Sequence, residues 1–224
     1  MNAQTEVRRV RRSKAEAKNA YDRLSRWYDV LAGSAERKYM ELGLRLLAAT
    51  KGERVLEIGC GTGHAILALA QAVGPKGKVY AIDLSERMCA ITRARIAAAT
   101  LTPRIQLKCG DAARLPFPAN LVDAVFMSFT LELFDTPEIP QVLQECRRVL
   151  RGRGRLCVVA MSKVKATAMV RLYEWFHDQF PKYADCRPIF VEEMLEGAGF
   201  RTLAAREHSM WGLPVTIVLA EKSS

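Results

Sequence analysis

The sequence predicts an α/β fold in which a parallel sheet carries helices on both faces. Apolar strand-like runs alternate along the chain with segments of helical periodicity. The first of these strands passes directly into a glycine-rich corner, where the backbone can turn tightly and approach a ligand closely. The chain has 224 residues, of which 50% are hydrophobic, and is therefore long enough for one such domain.

The predicted elements follow from hydrophobic periodicity and from the placement of glycine and proline. Two helices come first, at 15–31 and 35–49. The alternating part consists of strand 53–58, helix 64–72, strand 78–83, helix 86–98, strands 104–109 and 121–127, helix 138–150 and strand 154–161. An aromatic-rich amphipathic helix at 169–180 interrupts it, and helix 191–197 and strands 200–207 and 214–221 complete the chain. We expect a basic arm at 1–14 and one domain at 15–224, with a lid inserted at about 163–190.

The glycine-rich corner places an acid, Glu57, just before Gly59, Gly61 and Gly63. The spacing G-x-G-x-G differs from the dinucleotide fingerprint G-x-G-x-x-G, and a tight turn alone seldom needs three alternate glycines. Glu57 would repel the pyrophosphate that a helix N-terminus otherwise attracts. A cofactor with a cationic amino-acid tail and no phosphate fits better, and S-adenosylmethionine is such a molecule.

Two further acids end the second and third predicted strands. Asp83 follows Gly63 by twenty residues, which places it to bind ribose hydroxyls; its alternative role is to cap the helix that begins at Ser85. Asp111 closes the third strand in a Gly-Asp pair, which is also ordinary turn chemistry. The carboxyl ends of parallel strands share one edge, so these acids and Glu57 are predicted to lie together.

With these motifs in order, the chain resembles the class I S-adenosylmethionine-dependent methyltransferases. Within them it is similar to the branch containing the ubiquinone/menaquinone C-methyltransferases and the bacterial phospholipid N-methyltransferases. The resemblance is carried by 55–63, 79–88, 107–117 and 117–126, and it covers roughly residues 20–160. It implies a Rossmann-like, seven-stranded, mostly parallel sheet with an antiparallel last strand, N-terminal helices and an inserted helical lid.

The resemblance also implies a set of cofactor-binding residues for S-adenosyl-L-methionine. In the family an acid at the position of Asp111 meets the adenine amine, and N-terminal tyrosines such as Tyr21 and Tyr28 cover the cofactor. Met88 is predicted either as an adenine contact or as core. The expected set is Glu57, Gly59, Gly61, Gly63, Asp83, Leu84, Met88, Asp111, Ala112, Tyr28 and Ser128.

The acceptor is predicted to be a hydrophobic small molecule or lipid, and the resemblance leaves a quinone ring carbon and a phospholipid amine headgroup open. Apolar side chains follow the strands at the predicted rim, each of which has core packing as its alternative: Phe129, Leu131, Phe134, Trp175, Phe176 and Trp211. Methyl transfer needs alignment and exclusion of water, and a base only where the nucleophile carries a proton. The candidate catalytic residues are His208, His177 and Tyr21, with Tyr28 and Glu132 as further proton acceptors.

Charge leaves several partners open. The net charge is +10, and residues 1–26 contain eight basic and three acidic side chains. Such an arm binds anionic lipid headgroups or nucleic acid, or is merely solvated. The chain lacks the (D/N)-P-P-(Y/F/W) motif of amino-directed nucleic-acid enzymes and instead reads Met-Ser-Phe-Thr at 127–130, which argues against nucleic acid. An RNA methyltransferase and a non-enzymatic cofactor-binding scaffold remain the alternatives.

Targeting and metal signals are missing from the sequence. No apolar run approaches a membrane span and the N-terminus has no apolar signal region, so we expect a cytoplasmic protein with at most peripheral contact with an anionic membrane. The six cysteines form no C-x-x-C pair, and no metal is expected. The sequence leaves the oligomeric state open.

Overall fold

The computed structural model describes residues 33–163 and 187–223. Within them, seven strands form one sheet in the order β3-β2-β1-β4-β5-β7-β6. The strands are β1 (Arg54–Ile58), β2 (Lys78–Asp83), β3 (Ile105–Cys109), β4 (Val122–Ser128), β5 (Leu150–Met161), β6 (Phe200–Met210) and β7 (Leu213–Lys222). The helices are α1 (Gly33–Leu47), α2 (His64–Val73), α3 (Glu86–Ala98), α4 (Ile139–Val149) and α5 (Val191–Gly197). This architecture confirms the predicted Rossmann-like fold.

The strand directions bring six carboxyl ends to one edge of the sheet. β1 pairs in parallel with β2 and β4, and β3 and β5 extend the parallel sheet on either side. β7 is antiparallel to both of its neighbours, β5 and β6, which confirms the predicted antiparallel last strand. β6 therefore runs in the same direction as the first five strands. We call the edge where these six strands end the carboxyl edge.

Both faces of the sheet are buried under helices. Alternate residues of β1 point to opposite faces, so that Val55 packs with α1 and α2 while Leu56 and Ile58 pack with α4 and α5. All three side chains are at most 1% exposed. A strand covered on both faces reads as a continuous apolar run, and Glu57 is therefore an exception within β1.

α1 crosses the sheet from the carboxyl edge to the opposite, amino edge. Near its start, the Tyr39 hydroxyl donates a 2.6 Å hydrogen bond to the carbonyl of Ser209 at the end of β6. Near its end, the Arg155 guanidinium at the start of the buried part of β5 donates to the carbonyl of Leu47 over 2.8 Å. The first turns of α1 are thereby fixed above the carboxyl edge.

Several element boundaries differ from the predictions, and three of the differences have a clear structural reason. β3 begins at Ile105, because 102–104 form a 3-10 turn containing Pro103. Leu150 opens β5 instead of ending α4, since it pairs with Val122. β6 continues to Met210 through its ladder with β7. The ends of β5 and β6 depend on pairing with residues distant in the chain, and hydrophobic periodicity gives no information about that pairing.

Several predicted segments lie outside the described residues. These are the arm at 1–14, the helix at 15–31 and the lid helix at 169–180, and the division into arm and domain stays a prediction. The chain before and after residues 164–186 comes together, because Ser162 pairs with Ile189 in a parallel bridge. No helix in the described part of the chain is long and apolar enough to cross a membrane.

Candidate functional site

Glu57 is the buried acid at the carboxyl edge. Its Cα lies between those of Ala81 on β2 and Phe126 on β4, and the residue is only 4% exposed. Its Oε2 is buried without a hydrogen-bond partner. Burial, together with the nearby charge of Asp83, raises the pKa of Glu57 well above its usual value. A carboxyl placed in this way can accept a cationic ligand group that the protein itself does not supply.

The three glycines after β1 have different roles. All have positive φ, of 71° at Gly59, 50° at Gly61 and 87° at Gly63. A Cβ at Gly59 would overlap the Thr130 side chain, and one at Gly63 would lie 2.9 Å from Cγ2 of Thr92. A Cβ at Gly61 would meet nothing within 4 Å. Gly59 and Gly63 therefore permit close packing inside the protein, and Gly61 faces open space.

Polar bonds hold the glycine turn from the side of β2 and α3. The Gly61 amide donates to Oδ2 of Asp83 over 2.8 Å, and the Thr92 hydroxyl donates to the Gly61 carbonyl over 2.7 Å. Arg95 donates to the Thr62 carbonyl, also over 2.7 Å. Sequence reasoning missed Thr92 and Arg95. Their spacing of three on the helix after Asp83, which puts them on one face, was the available signal.

Asp83 orders the start of α3 as well as the glycine turn. Its Oδ1 accepts from the Ser85 amide over 2.9 Å, and the Ser85 hydroxyl caps the helix by accepting from the Met88 amide over 3.0 Å. The capping role considered for Asp83 thus belongs to Ser85. Leu84 is half-buried, and Met88 is 2% exposed among core side chains. Contacts of Asp83, Leu84 and Met88 with the cofactor stay predictions.

Asp111 and Ala112 lie at the end of β3. Oδ1 of Asp111 accepts from the Ala113 amide over 2.9 Å and so starts the 3-10 turn at Ala112–Arg114. Asp111 is half-buried, whereas Ala112 is 6% exposed and belongs to the core. The turn chemistry considered for Asp111 is therefore present. Its predicted contact with adenine is a separate function of the same carboxyl group and stays a prediction.

A cleft opens above the carboxyl edge between α1 and the glycine turn. Its empty volume is about 540 Å³, including space open to solvent. The structure brings the predicted residues Glu57, Gly59, Gly61 and Ser128 together in its wall. The other lining residues come from α1, the glycine turn, the start of α2 and the end of β4: Glu36, Arg37, Met40, Cys60, Thr62, His64, Ala65 and Phe129.

The α1 side of this cleft was missed from the sequence. Arg37 donates from Nη2 to Nδ1 of His64 over 2.7 Å, which joins α1 to the first residue of α2. Arginine only donates hydrogen bonds, so Nδ1 of His64 is unprotonated in this contact. Nothing in the sequence around 33–47 marks it as part of the site, because its position depends on how α1 crosses the sheet.

The chemistry of the residues in the cleft matches that of S-adenosylmethionine. The unpartnered Oε2 of buried Glu57 matches the cofactor's ammonium group, and the open space at Gly61 admits a ligand against the backbone. Asp83 stands where β2 ends beside the same turn. The cofactor supplies a methyl group activated by a sulfonium, and the protein supplies binding and alignment.

The proposed proton acceptors are not gathered in this cleft. His208 lies on β6, separated from β1 by β4, β5 and β7, and its ring contacts that of Tyr39 at a centroid distance of 5.8 Å. Its Nε2 is buried without a hydrogen-bond partner. His177, Tyr21 and Tyr28 lie outside the described residues. The catalytic assignments of these residues therefore stay predictions.

Four of the six apolar residues predicted at the rim lie among the described residues. Phe129 lines the cleft, Leu131 is fully buried core, and Phe134 packs against the core. Trp211 is 71% exposed at the turn between β6 and β7, and Trp175 and Phe176 lie outside the described residues.

The five cysteines among the described residues are free thiols, and that part of the chain contains no cluster of metal-ligating side chains.

Comparison with known proteins places the chain in a family. A methyltransferase-domain model matches residues 55–154. The demethylmenaquinone methyltransferase of Geobacillus kaustophilus is 32% identical over 173 residues, which are 77% of this chain and 71% of that protein.

Solved structures agree on the fold. The cyclase SpnF superposes with a TM-score of 0.77 at 21% identity, covering 95% of this chain and 97% of that one. An S-adenosylmethionine-dependent methyltransferase from Aquifex aeolicus has a TM-score of 0.61 at 24% identity, covering 95% and 100%. From the relatives and the site together, the chain belongs to the class I S-adenosylmethionine-dependent methyltransferases.

Proposed function

We propose that the enzyme transfers the methyl group of S-adenosylmethionine to a ring carbon of a hydrophobic quinol of the demethylmenaquinol type. The observation that carries the proposal is the similarity to demethylmenaquinone methyltransferases, at 32% identity over 77% of the chain. A second such relative, from Symbiobacterium thermophilum, is 32% identical over 187 residues. The alternative acceptor within the same resemblance is a phospholipid amine headgroup.

The cleft supports an apolar acceptor. Met40 and Phe129 stand in its wall beside Ser128, so the ligand space next to the glycine turn is bounded on one side by apolar groups. A ring that packs against such groups is aligned and dehydrated, which is most of what methyl transfer requires.

Trp211 supports acceptor delivery from a membrane surface. It is 71% exposed, and because β6 runs parallel to β1, its turn lies at the carboxyl edge with the cleft. Tryptophan favours the membrane–water interface, where its ring is partly buried and its N–H stays hydrated. Peripheral contact of this edge with a membrane is part of the proposal.

The test is incubation with S-adenosylmethionine labelled in its methyl group and three separate acceptors. These are a reduced 2-prenyl-1,4-naphthoquinol under anaerobic conditions, phosphatidylethanolamine vesicles and total RNA. We expect label in the naphthoquinol alone. Label only in phosphatidylethanolamine would replace the quinol with the amine, and label only in RNA would establish the nucleic-acid alternative. Gly61→Arg serves as the inactive control.

A further inference from the structure

Glu132 is a buried acid that cofactor binding does not employ. It lies in the 3-10 turn at Leu131–Leu133 and is 0% exposed. Its Oε1 accepts from the Met161 amide over 3.1 Å, whereas its Oε2 is buried without a hydrogen-bond partner. Leaving a buried carboxyl oxygen unpartnered costs free energy, so a partner is expected from outside the protein.

Glu132 follows the part of the chain that supplies the β4 side of the cleft wall, although it is not itself a lining residue. Ser128 and Phe129 line the cleft, and Thr130 packs against Gly59; Glu132 follows two residues later. The bond to Met161 fixes its carboxyl between the ends of the neighbouring strands β4 and β5. The glycine turn stands on the other side of β4, so Glu132 is adjacent to the cofactor position without belonging to it.

The charges around Glu132 suit a group that exchanges a proton near neutral pH. Burial, and to a smaller degree the charge of Glu36 on α1, raises the pKa of Glu132 to about 8, against the lowering effect of its backbone bonds and of Arg187. Arg187 is 3% exposed and bonds to Thr136 and to the Phe134 carbonyl in the loop after Glu132. Lys163 is a further buried cation at the end of β5.

We propose that Glu132 accepts the proton of a ring hydroxyl of the acceptor, with Oε2 as the atom that binds it. This inference rests on the proposed function, since a quinol carries such a hydroxyl. The O–H bond breaks toward Oε2, and the electron pair left on oxygen enriches the ring carbon that forms the new bond to the methyl group. The electron pair of the broken methyl–sulfur bond remains on sulfur. The ring carbon then releases its own proton to solvent water, the ring oxygen takes back the proton held on Oε2, and the aromatic quinol is restored with Glu132 ionised again.

The variant Glu132→Gln tests this assignment. The amide keeps the size of the side chain and an oxygen for the Met161 amide, yet it does not accept a proton. We expect the rate of methyl transfer to 2-prenyl-1,4-naphthoquinol to fall by about 10²- to 10⁴-fold with unchanged S-adenosylmethionine affinity. The wild-type rate of methyl transfer should rise with pH around 8, and the rate of the variant should not show this rise. Glu145→Gln, the same exchange on the far side of α4 where Glu145 pairs with Arg148, is the matched control.

A binding experiment separates a catalytic from a structural role. The wild-type protein should bind 1,4-naphthoquinol about tenfold more tightly than its dimethyl ether, because only the quinol can donate to Oε2. Glu132→Gln should lose most of this preference. A variant with the wild-type rate and pH profile, or a preference equal to that of wild type, would overturn the inference. If Glu132→Gln fails to fold, Glu132→Asp should be slower yet keep the rise with pH; a wild-type rate in Glu132→Asp would also overturn it.

The outcome is distinguishable from failure of the proposed function. If the wild-type protein methylates no quinol, the proposed function fails. The binding preference for quinol over its dimethyl ether then still tests whether Oε2 of Glu132 accepts a hydrogen bond from the ligand. If wild type methylates the quinol and the variant does so equally well, only the assignment of Glu132 fails.

Discussion

The two halves of the sheet hold their functional groups in different ways. Around β1, β2 and β3, bonds within the protein hold the glycine turn: the Gly61 amide donates to Asp83 and the Gly61 carbonyl accepts from Thr92. Glu57 is the exception on this side, because its Oε2 is unpartnered. Around β4 and β5, isolated side chains stand at the carboxyl edge, such as Glu132 with one oxygen bonded and the other unpartnered. The first arrangement is ordered by bonds within the protein, whereas the second leaves a buried oxygen for the acceptor that we propose.

Gly61→Arg should produce the largest loss on the cofactor half. A side chain here enters the open space beside the backbone, so S-adenosylmethionine affinity should fall more than 1,000-fold, about 4 kcal/mol or more. Gly61→Ala is the control, because it shares the strain of φ 50° without the bulk. Titration calorimetry measures both. Tight binding by the arginine variant would show that the cofactor does not approach Gly61.

Gly59→Ala should damage the fold more than the chemistry. Its Cβ would overlap Thr130 at a φ of 71°, so we expect a loss of about 3 kcal/mol in the free energy of unfolding. Urea unfolding measures the loss, and adding Thr130→Ala should restore part of it by making space. If the double variant is no more stable than the single one, the contact between Gly59 and Thr130 is not what requires the glycine.

Glu57→Gln should weaken S-adenosylmethionine binding by about 10- to 100-fold, or 1.5–3 kcal/mol, because the ammonium group loses a charged partner. The raised pKa of Glu57 fixes the sign of the pH effect. Above about pH 4.5 the unfolded carboxyl ionises while the folded one stays protonated, so this residue lowers the stability of the cofactor-free protein as pH rises.

Cofactor binding favours the ionised form of Glu57 and releases its proton. Wild-type affinity should therefore rise with pH above about 5, until the raised pKa is passed. Glu57→Gln should remove both this rise and the loss of stability, as calorimetry and thermal unfolding between about pH 5 and 7 would report. An affinity independent of pH would mean that Glu57 does not pair with the ammonium group.

Arg155→Lys should have the smallest effect and none on the site. Arg155 bonds both oxygens of Glu53 over 2.8 Å at the amino edge, opposite the cleft. Lysine cannot form this bidentate pair of hydrogen bonds with a carboxylate. The free energy of unfolding should therefore fall by about 1 kcal/mol, with unchanged cofactor affinity. A weaker affinity in this variant would show that the two edges are coupled.

Sequence reasoning reached further into the half of the sheet around the glycine turn than into the half formed by β4 and β5. The acid, glycines and strand ends that form the glycine turn are close in sequence, so their chemistry is readable from 57–63 and 83 alone. The wall formed by Glu36, Arg37 and Met40 was not predictable, because it depends on how α1 crosses the sheet. Glu132 was named as a proton acceptor, yet its unpartnered oxygen follows only from the meeting of β4 and β5. His208 was named as a candidate catalytic residue, and the strand order separates its strand from β1 by three others.

The double attachment of Asp83 has a kinetic consequence. Both of its oxygens already accept backbone hydrogens, from Gly61 and from Ser85, so the glycine turn is ordered before any ligand arrives. Cofactor entry then requires no folding of this turn. After transfer, the cofactor that has lost its methyl group leaves without waiting for the turn to open. We expect exchange of spent for fresh cofactor to be limited by motions of other cleft walls, such as α1, while the glycine turn keeps one conformation through the catalytic cycle.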